Sequence, residues 1–202
     1  MKKFREENRD RAISVSEVNR LIGMAKEPLK SFILLAVHTG MRRGEILNLR
    51  WEEVHLDEKY IFVKHTKTYC SRKIPINNTI ISLLNRLRSR LPSNEYVFFN
   101  PKTNKPYVEI SSAWETLLKK AGITNLTFHD LRGIFATYFH SQDHDLLALQ
   151  RMLGHQSIQT TLRYAQPLWA SMQKSVGELG SRFANSNSNS LLAELFFGEK
   201  YA

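Results

Sequence analysis

Apolar residues recur at a helical period along most of this chain, and the interruptions fall at glycine, proline or short polar clusters. Ser14 with Glu17 three residues later forms a capping box, and Val18, Leu21 and Ile22 supply the inward stripe of a first helix that stops before Pro28. A second, more buried helix is predicted from Leu29 to His38, with Gly40 placed to turn the chain before helical spacing resumes through Ile46, Leu47 and Leu49. After Trp51 the period changes. Tyr60 to Lys64 and Lys73 to Ile76 read as strands of a small antiparallel sheet with a hairpin around Thr66 to Ser71, and Val54 to Leu56 offers a first strand.

Helical spacing then returns. Asn78 to Leu91 is amphipathic, with Ile81, Leu84 and Leu87 inward, Arg86, Arg88 and Arg90 outward, and Pro92 as its end. Tyr96 to Phe99 is a short apolar run before a turn that carries Lys102 and Lys105. The stretch from Ser112 to Lys120 places Trp114, Leu117 and Leu118 in the core and stops at Gly122. Leu131, Ile134, Phe135 and Tyr138 mark a further helix, and Leu153-Gly154-His155 reads as a helix ending at a glycine in the left-handed conformation. The predicted fold is mainly α with a small antiparallel β-sheet, an α+β class.

The two ends differ from this body. Met1 to Arg11 is a charged run with too little apolar content to fold alone, so residues 1–13 read as a linker or interdomain remnant ahead of a domain over 14–184. Asn185 to Ser190 alternates asparagine and serine, as a flexible linker does. Leu191, Leu192, Leu195, Phe196 and Phe197 then have the spacing of one short helix that needs an apolar groove to be stable.

Charge narrows the partner. Twenty-nine Lys and Arg against 19 Asp and Glu give a net charge of +10 and a pI near 9.8, which favours a polyanion, with nucleic acid the leading partner. Charge alone leaves room for a ribosome-associated or membrane-surface protein. The single cysteine, Cys70, allows no internal disulfide, and no membrane-spanning run or signal-peptide pattern is present, so the expected location is cytoplasmic with no membrane partner.

The chemistry concentrates between Thr127 and Tyr164. His129 and Arg132 stand three apart at helical spacing, His155 follows the Gly154 turn, and Tyr164 comes nine residues later. Two imidazoles, a guanidinium and a phenol suit phosphoryl transfer, because the charge that develops on phosphate oxygens can be clamped by cationic donors. A rival metal cluster from His129, His140, His144 and His155 lacks a carboxylate or thiol spaced to complete its shell and has Arg132 in its midst; neither metal nor other cofactor is expected.

His129-x-x-Arg132, Leu153-Gly154-His155 and Thr161-Leu162-Arg163-Tyr164, taken together, closely resemble the carboxy-terminal signature of the tyrosine site-specific recombinases, the phage integrase family. Upstream, Thr39-Gly40-Met41-Arg42-Arg43-Gly44-Glu45 resembles the first arginine box of that family, with Arg42 at its catalytic position and Glu45 at its supporting acidic position. The resemblance, from Ser14 to Trp169, implies the catalytic-domain fold and places a hairpin lysine at Lys67, ahead of Arg72, Ile74 and Pro75. It departs from the family at Thr68-Tyr69-Cys70-Ser71, where a glycine is common, and at Gly133, where the side chain is usually bulkier. Ser141 to Asp145 lacks a frequent glycine, for which Asp143 can substitute in the left-handed conformation, and Gln166 stands where a histidine is frequent.

The resemblance implies site-specific recombination by DNA strand cleavage and rejoining, with Tyr164 as nucleophile of a 3′-phosphotyrosyl intermediate. Arg42 and Arg132 would clamp the scissile phosphate, His129 and His155 assist there, and Lys67 would protonate the leaving 5′-oxygen. Arg43, Arg72, Lys73, Lys102, Lys105, Arg151 and Arg163 are the expected DNA contacts. The implied assembly is a homo-oligomer, a tetramer on double-stranded DNA, with the carboxy-terminal segment exchanged between copies. Two alternatives remain open in the sequence: relaxation of DNA in the manner of a type IB topoisomerase, and a non-catalytic DNA-binding module of the same fold.

Overall fold

A computed structural model of the chain describes residues 13–64, 71–90, 94–141, 145–162, 164, 173 and 176–178. The chain divides into two compact units, residues 1–165 and 166–202, and the helices and strands named below belong to the first. Lys67, Cys70, Asp143, His144, Arg163, Gln166 and the segments expected as end linker and carboxy-terminal helix lie outside the described residues.

Helix α1 (Val15–Met24) begins at the expected capping box: the Glu17 N–H donates to Ser14 Oγ at 3.2 Å, and the Ser14 N–H donates to Glu17 Oε2 at 3.0 Å. Helix α2 (Leu29–Thr39) is the centre of the unit. Phe32, Ile33, Leu35 and Ala36 are each at most 1% exposed, so it is buried on several faces, with α1, α3 (Arg43–Leu47), α4 (Asn78–Arg90) and α6 (Asp130–Ser141) around it. A helix apolar on most sides can be satisfied only by neighbours on most sides. Edge-to-face rings fix one side, with the centroid of Phe32 4.8 Å from that of Phe98. Helix α5 (Ser111–Ala121) closes against α1; its Trp114 indole donates to the Leu126 carbonyl at 3.1 Å and meets Phe128 edge-on.

The sheet is antiparallel in the order β1 (Val54–His55), β2 (Tyr60–Val63), β3 (Arg72–Pro75). Its register pairs Ile61 with both Val54 and Ile74 and pairs Val63 with Arg72, and these five residues form its buried face. Strand β3 therefore starts one residue earlier than expected, at an arginine. A two-stranded ribbon of β4 (Phe99–Asn100) and β5 (Lys105–Pro106), which the apolar run did not reveal, holds Lys102 exposed at its turn and Lys105 exposed at the start of β5.

In α4 the buried positions are Ile80, Leu83 and Leu84, while Ile81 and Leu87 are only half-buried. The sequence offers two overlapping stripes there, and contact with α2 selects the one led by Ile80. Of its outward arginines, Arg86 pairs with Glu27 at 3.2 Å and Arg88 lies over the Trp51 ring. Leu118 is half-buried rather than fully in the core, and Tyr138 is 43% exposed although it shares the Leu131 stripe, because it lines an open groove with Val37, Pro75 and Phe139. Helices α7 (Leu146–Leu153) and α8 (Gln159–Leu162) complete the unit beside α6.

Candidate functional site

Two helix ends build the site around one side chain. Gly40, at φ 64°, ends α2, and Gly154, at φ 66°, ends α7; both conformations favour glycine. At Gly40 an added Cβ would also lie 2.4 Å from Phe135 Cδ1, so the close approach of α2 to α6 depends on the missing side chain. Arg132, in the first turn of α6 and 2% exposed, donates from Nη1 to the Gly40 carbonyl at 2.7 Å and from Nη2 to the Leu153 carbonyl at 2.6 Å. Carbonyls at helix C-termini carry partial negative charge, and this makes a buried guanidinium tolerable here.

Arg132 Nη2 also lies 3.0 Å from His155 Nε2. A guanidinium only donates, so Nε2 accepts, and the imidazole proton sits on Nδ1, from which it donates to Thr161 Oγ1 at 2.9 Å. Thr161 is fully buried, and its carbonyl accepts the Tyr164 N–H at 2.9 Å. The hydrogen-bond chain from Arg132 through His155 to Thr161 thus reaches the turn that carries Tyr164. The Tyr164 side chain is half-buried against the cluster of Phe135, Ala136, Leu149 and Leu153, near Gly133 of α6.

Glu45 gathers the other cations. Its Oε2 accepts the Arg42 N–H at 2.8 Å and Arg72 Nη2 at 2.8 Å; its Oε1 accepts Arg42 Nη1 at 3.1 Å and Arg72 Nη1 at 3.0 Å. Burial pushes its carboxyl up, but the Arg72 hydrogen bond and charge, followed by the Arg42 N–H and charge, outweigh that and hold it below the usual carboxylate value. Arg132 feels the opposite pressure. Burial, with the like charges of Arg42 and Arg72, lowers it to about 9 against the pull of Glu45 and Tyr164. It stays charged at neutral pH, and an anion beside it would relieve the strain on its charge.

The remaining expected residues are placed differently. His129 precedes the first residue of α6 and is exposed, so it does not share the helix with Arg132 as its spacing suggested; Arg132 N–H donates to its carbonyl. Arg72 is not a DNA-facing residue: it is 8% exposed and engaged with Glu45 and the Met152 carbonyl. The parity of Ile74 and Ile76, both buried, carried this signal, since Arg72 shares their face of the strand. Arg43 pairs with Glu109 at 3.4 Å, Lys73 lies 4.4 Å from the centre of the Tyr60 ring, and Arg151 is exposed. Thr161, and Gln150, whose side chain donates to the His155 carbonyl, were not anticipated; nothing in residue type or spacing marks them as partners of His155. Among the described residues no group of three or more His, Cys, Asp or Glu is disposed to hold a metal ion.

Two outcomes follow from this geometry. Because the folded value of Glu45 lies below its unfolded one, the carboxylate adds stability above the ordinary carboxylate range, and that contribution is lost as pH falls through the folded value. Glu45→Gln should therefore flatten the acid limb of a melting-temperature profile taken from neutral pH downward; an unchanged limb would contradict the clamp. At Gly133, an added Cβ would meet, among the described residues, only Tyr164 Cε1, at 3.8 Å, which is ordinary contact. Gly133→Ala should raise stability by about 0.5–1 kcal/mol in urea titration, since a mid-helix glycine costs about that much.

The phage integrase family matches residues 11–169. The integrase of Salmonella phage P22 is 29% identical over 195 residues, covering 90% of this chain and 50% of the phage protein. The tyrosine recombinase XerA of Pyrococcus furiosus is 30% identical over 164 residues, covering 77% of this chain and 57% of XerA. The crystal structure of XerA recombinase is similar with a TM-score of 0.66 and 28% identity, covering 82% of this chain and 64% of that one. The chain spans about half the length of the curated relatives it matches. The arginine, histidine and tyrosine boxes fall inside the matched residues, which are most of the sequence, and on that ground the chain belongs to the phage integrase family.

Proposed function

We propose that this chain cleaves and rejoins DNA strands in site-specific recombination through a covalent link between Tyr164 and a 3′-phosphate. One observation carries the reading: three guanidiniums, Arg42, Arg72 and Arg132, gather about the single carboxylate of Glu45, which leaves a cationic excess where a buried anion would be stabilised. Kinship with proteins named integrase and tyrosine recombinase supports it.

In the proposed reaction Arg42 and Arg132 hold the non-bridging oxygens of the scissile phosphate. Tyr164 Oη attacks phosphorus, and the bond to the 5′-oxygen breaks. A phenol with an ordinary pKa of about 10 is ionised only to on the order of a thousandth at neutral pH, so its proton must pass to a base, for which His129 is the candidate. Lys67 supplies the proton to the leaving 5′-oxygen, and His155, whose Nε2 accepts from Arg132, steadies that guanidinium against the phosphate. The guanidiniums provide the charge stabilisation, so the step as written needs no metal. A second strand's 5′-hydroxyl reverses the attack and frees Tyr164. Exchange between two duplexes cuts four strands, and each chain offers one Tyr164, which is the reason to expect four copies on DNA. Arg43, Lys73, Lys102, Lys105, Arg151 and Arg163 are the proposed backbone contacts.

The test is a duplex of the DNA flanking the chain's own gene, nicked so that the cleaved end is lost and religation fails. A denaturant-resistant protein–DNA adduct is expected. Binding to the same duplex should weaken with salt at a log–log slope of about −0.9 per phosphate neutralised. Tight binding without any adduct would point to the non-catalytic module instead.

A further inference from the structure

We infer that Arg72 is a positioning residue that locks the two arms of the phosphate clamp in register. The proposal rests on the function proposed above. Arg72 occupies an inward position of β3, opposite Val63, where the neighbouring inward residues are Ile61 and Ile74. Its side chain is 6% exposed. It grips both oxygens of Glu45 with Nη1 and Nη2 at 3.0 and 2.8 Å, and Nε donates to the Met152 carbonyl at 2.7 Å. The fork of one guanidinium thus joins β3 to α3 on one side and to the end of α7 on the other.

Both attachments lead to the phosphate site. Glu45 shares its two oxygens between Arg72 and Arg42, so the carboxylate that orients Arg42 is itself fixed from behind by Arg72. The Met152 carbonyl lies two residues before Gly154, and a Cβ at Gly154 would sit 3.0 Å from Arg72 Cδ and Nη1. The Arg72 side chain is therefore packed against the turn that presents His155 to Arg132. Apolar residues in place of both Glu45 and Arg72 would avoid the desolvation that the two charges carry, so stability alone gives no reason for keeping the pair. Positioning does, because a rigid planar fork fixes direction as well as distance and a lysine cannot.

The experiment uses the full chain on the nicked duplex described above, at saturating protein and in a single turnover. The parent, Tyr164→Phe, Arg72→Lys, Arg72→Met, Glu45→Gln and the Arg72→Lys/Glu45→Gln double variant are compared, each with its DNA affinity and melting temperature. Arg72→Lys should bind DNA within about threefold of the parent yet cleave on the order of 100-fold more slowly, the scale of a misplaced clamp. The double variant should be little slower than either single one, since the two residues act as a unit. If a variant fails to fold, the remaining folded variant of the pair gives the same readout. A saturated cleavage rate within about threefold of the parent in a folded Arg72→Lys or Glu45→Gln variant, with only the melting temperature lowered, overturns the proposal. A folded parent that binds but forms no adduct overturns the functional reading itself, and this proposal with it.

Discussion

Arg132→Ala is expected to abolish strand cleavage and also to lower stability by about 2–4 kcal/mol, while Arg42→Ala abolishes cleavage with a much smaller loss of stability. The difference comes from where the two guanidiniums sit. Removing Arg132 leaves the Gly40 and Leu153 carbonyls, both on buried residues, without their donor, and deprives His155 Nε2 of the group that fixes its tautomer. Each orphaned buried acceptor costs about 1–3 kcal/mol, and release of the repulsion from Arg42 and Arg72 offsets only part of this. Arg42 has a side chain 20% exposed, and when it goes Glu45 keeps both hydrogen bonds from Arg72. Arg132→Lys should resemble Arg132→Ala in activity, because one ammonium cannot serve two carbonyls and a phosphate in the plane that the fork provides. Melting curves beside adduct yield decide the matter: parental cleavage by Arg132→Ala would remove this residue from the clamp.

Tyr164→Phe should bind DNA about as well as the parent and form no adduct at all. The change deletes one hydroxyl and leaves the ring, which packs half-buried against Phe135, Ala136, Leu149 and Leu153, so the fold has little to lose. Two of its neighbours have anchors of their own: Thr161 is tied to His155, and Arg132 to two helix ends. The expected loss is therefore of chemistry and not of structure, which equal melting temperatures and equal affinities would demonstrate. An adduct of undiminished yield would assign the nucleophile elsewhere, with Tyr138, 43% exposed, the next candidate.

Those parts of the fold governed by local chemistry were legible in the sequence. The Ser14–Glu17 box, the stop at Gly40 and the turn at Gly154 each follow from what one residue's backbone or side chain can do, and they stand where expected. Choices made by tertiary packing were not. Whether α4 buries Ile80 or Ile81 depends on the neighbour it meets, and Tyr138 is exposed because a groove opens beside it. The arginine boxes could be found because they are runs of adjacent residues. The way Arg132 is held could not, since it depends on backbone carbonyls of Gly40 and Leu153 that no side-chain pattern records. Arg72 was misread for a related reason: as a basic residue beside a hairpin it resembles a surface charge, and only strand parity shows that it faces inward.

The most direct test of the account is to locate the bond between protein and DNA. After reaction with the nicked duplex, nuclease digestion leaves a short nucleotide remnant on the protein, and trypsin then releases the stretch from Met152 to Lys174, in one piece or cut at Arg163. Tyr164 is the only tyrosine in that stretch, so a remnant found there by mass spectrometry has one phenol to occupy. The account predicts a nucleotide 3′-phosphate on that peptide and on no other. A remnant on the peptide from Gly133 to Arg151, which carries Tyr138, or on any peptide without Tyr164, would contradict it.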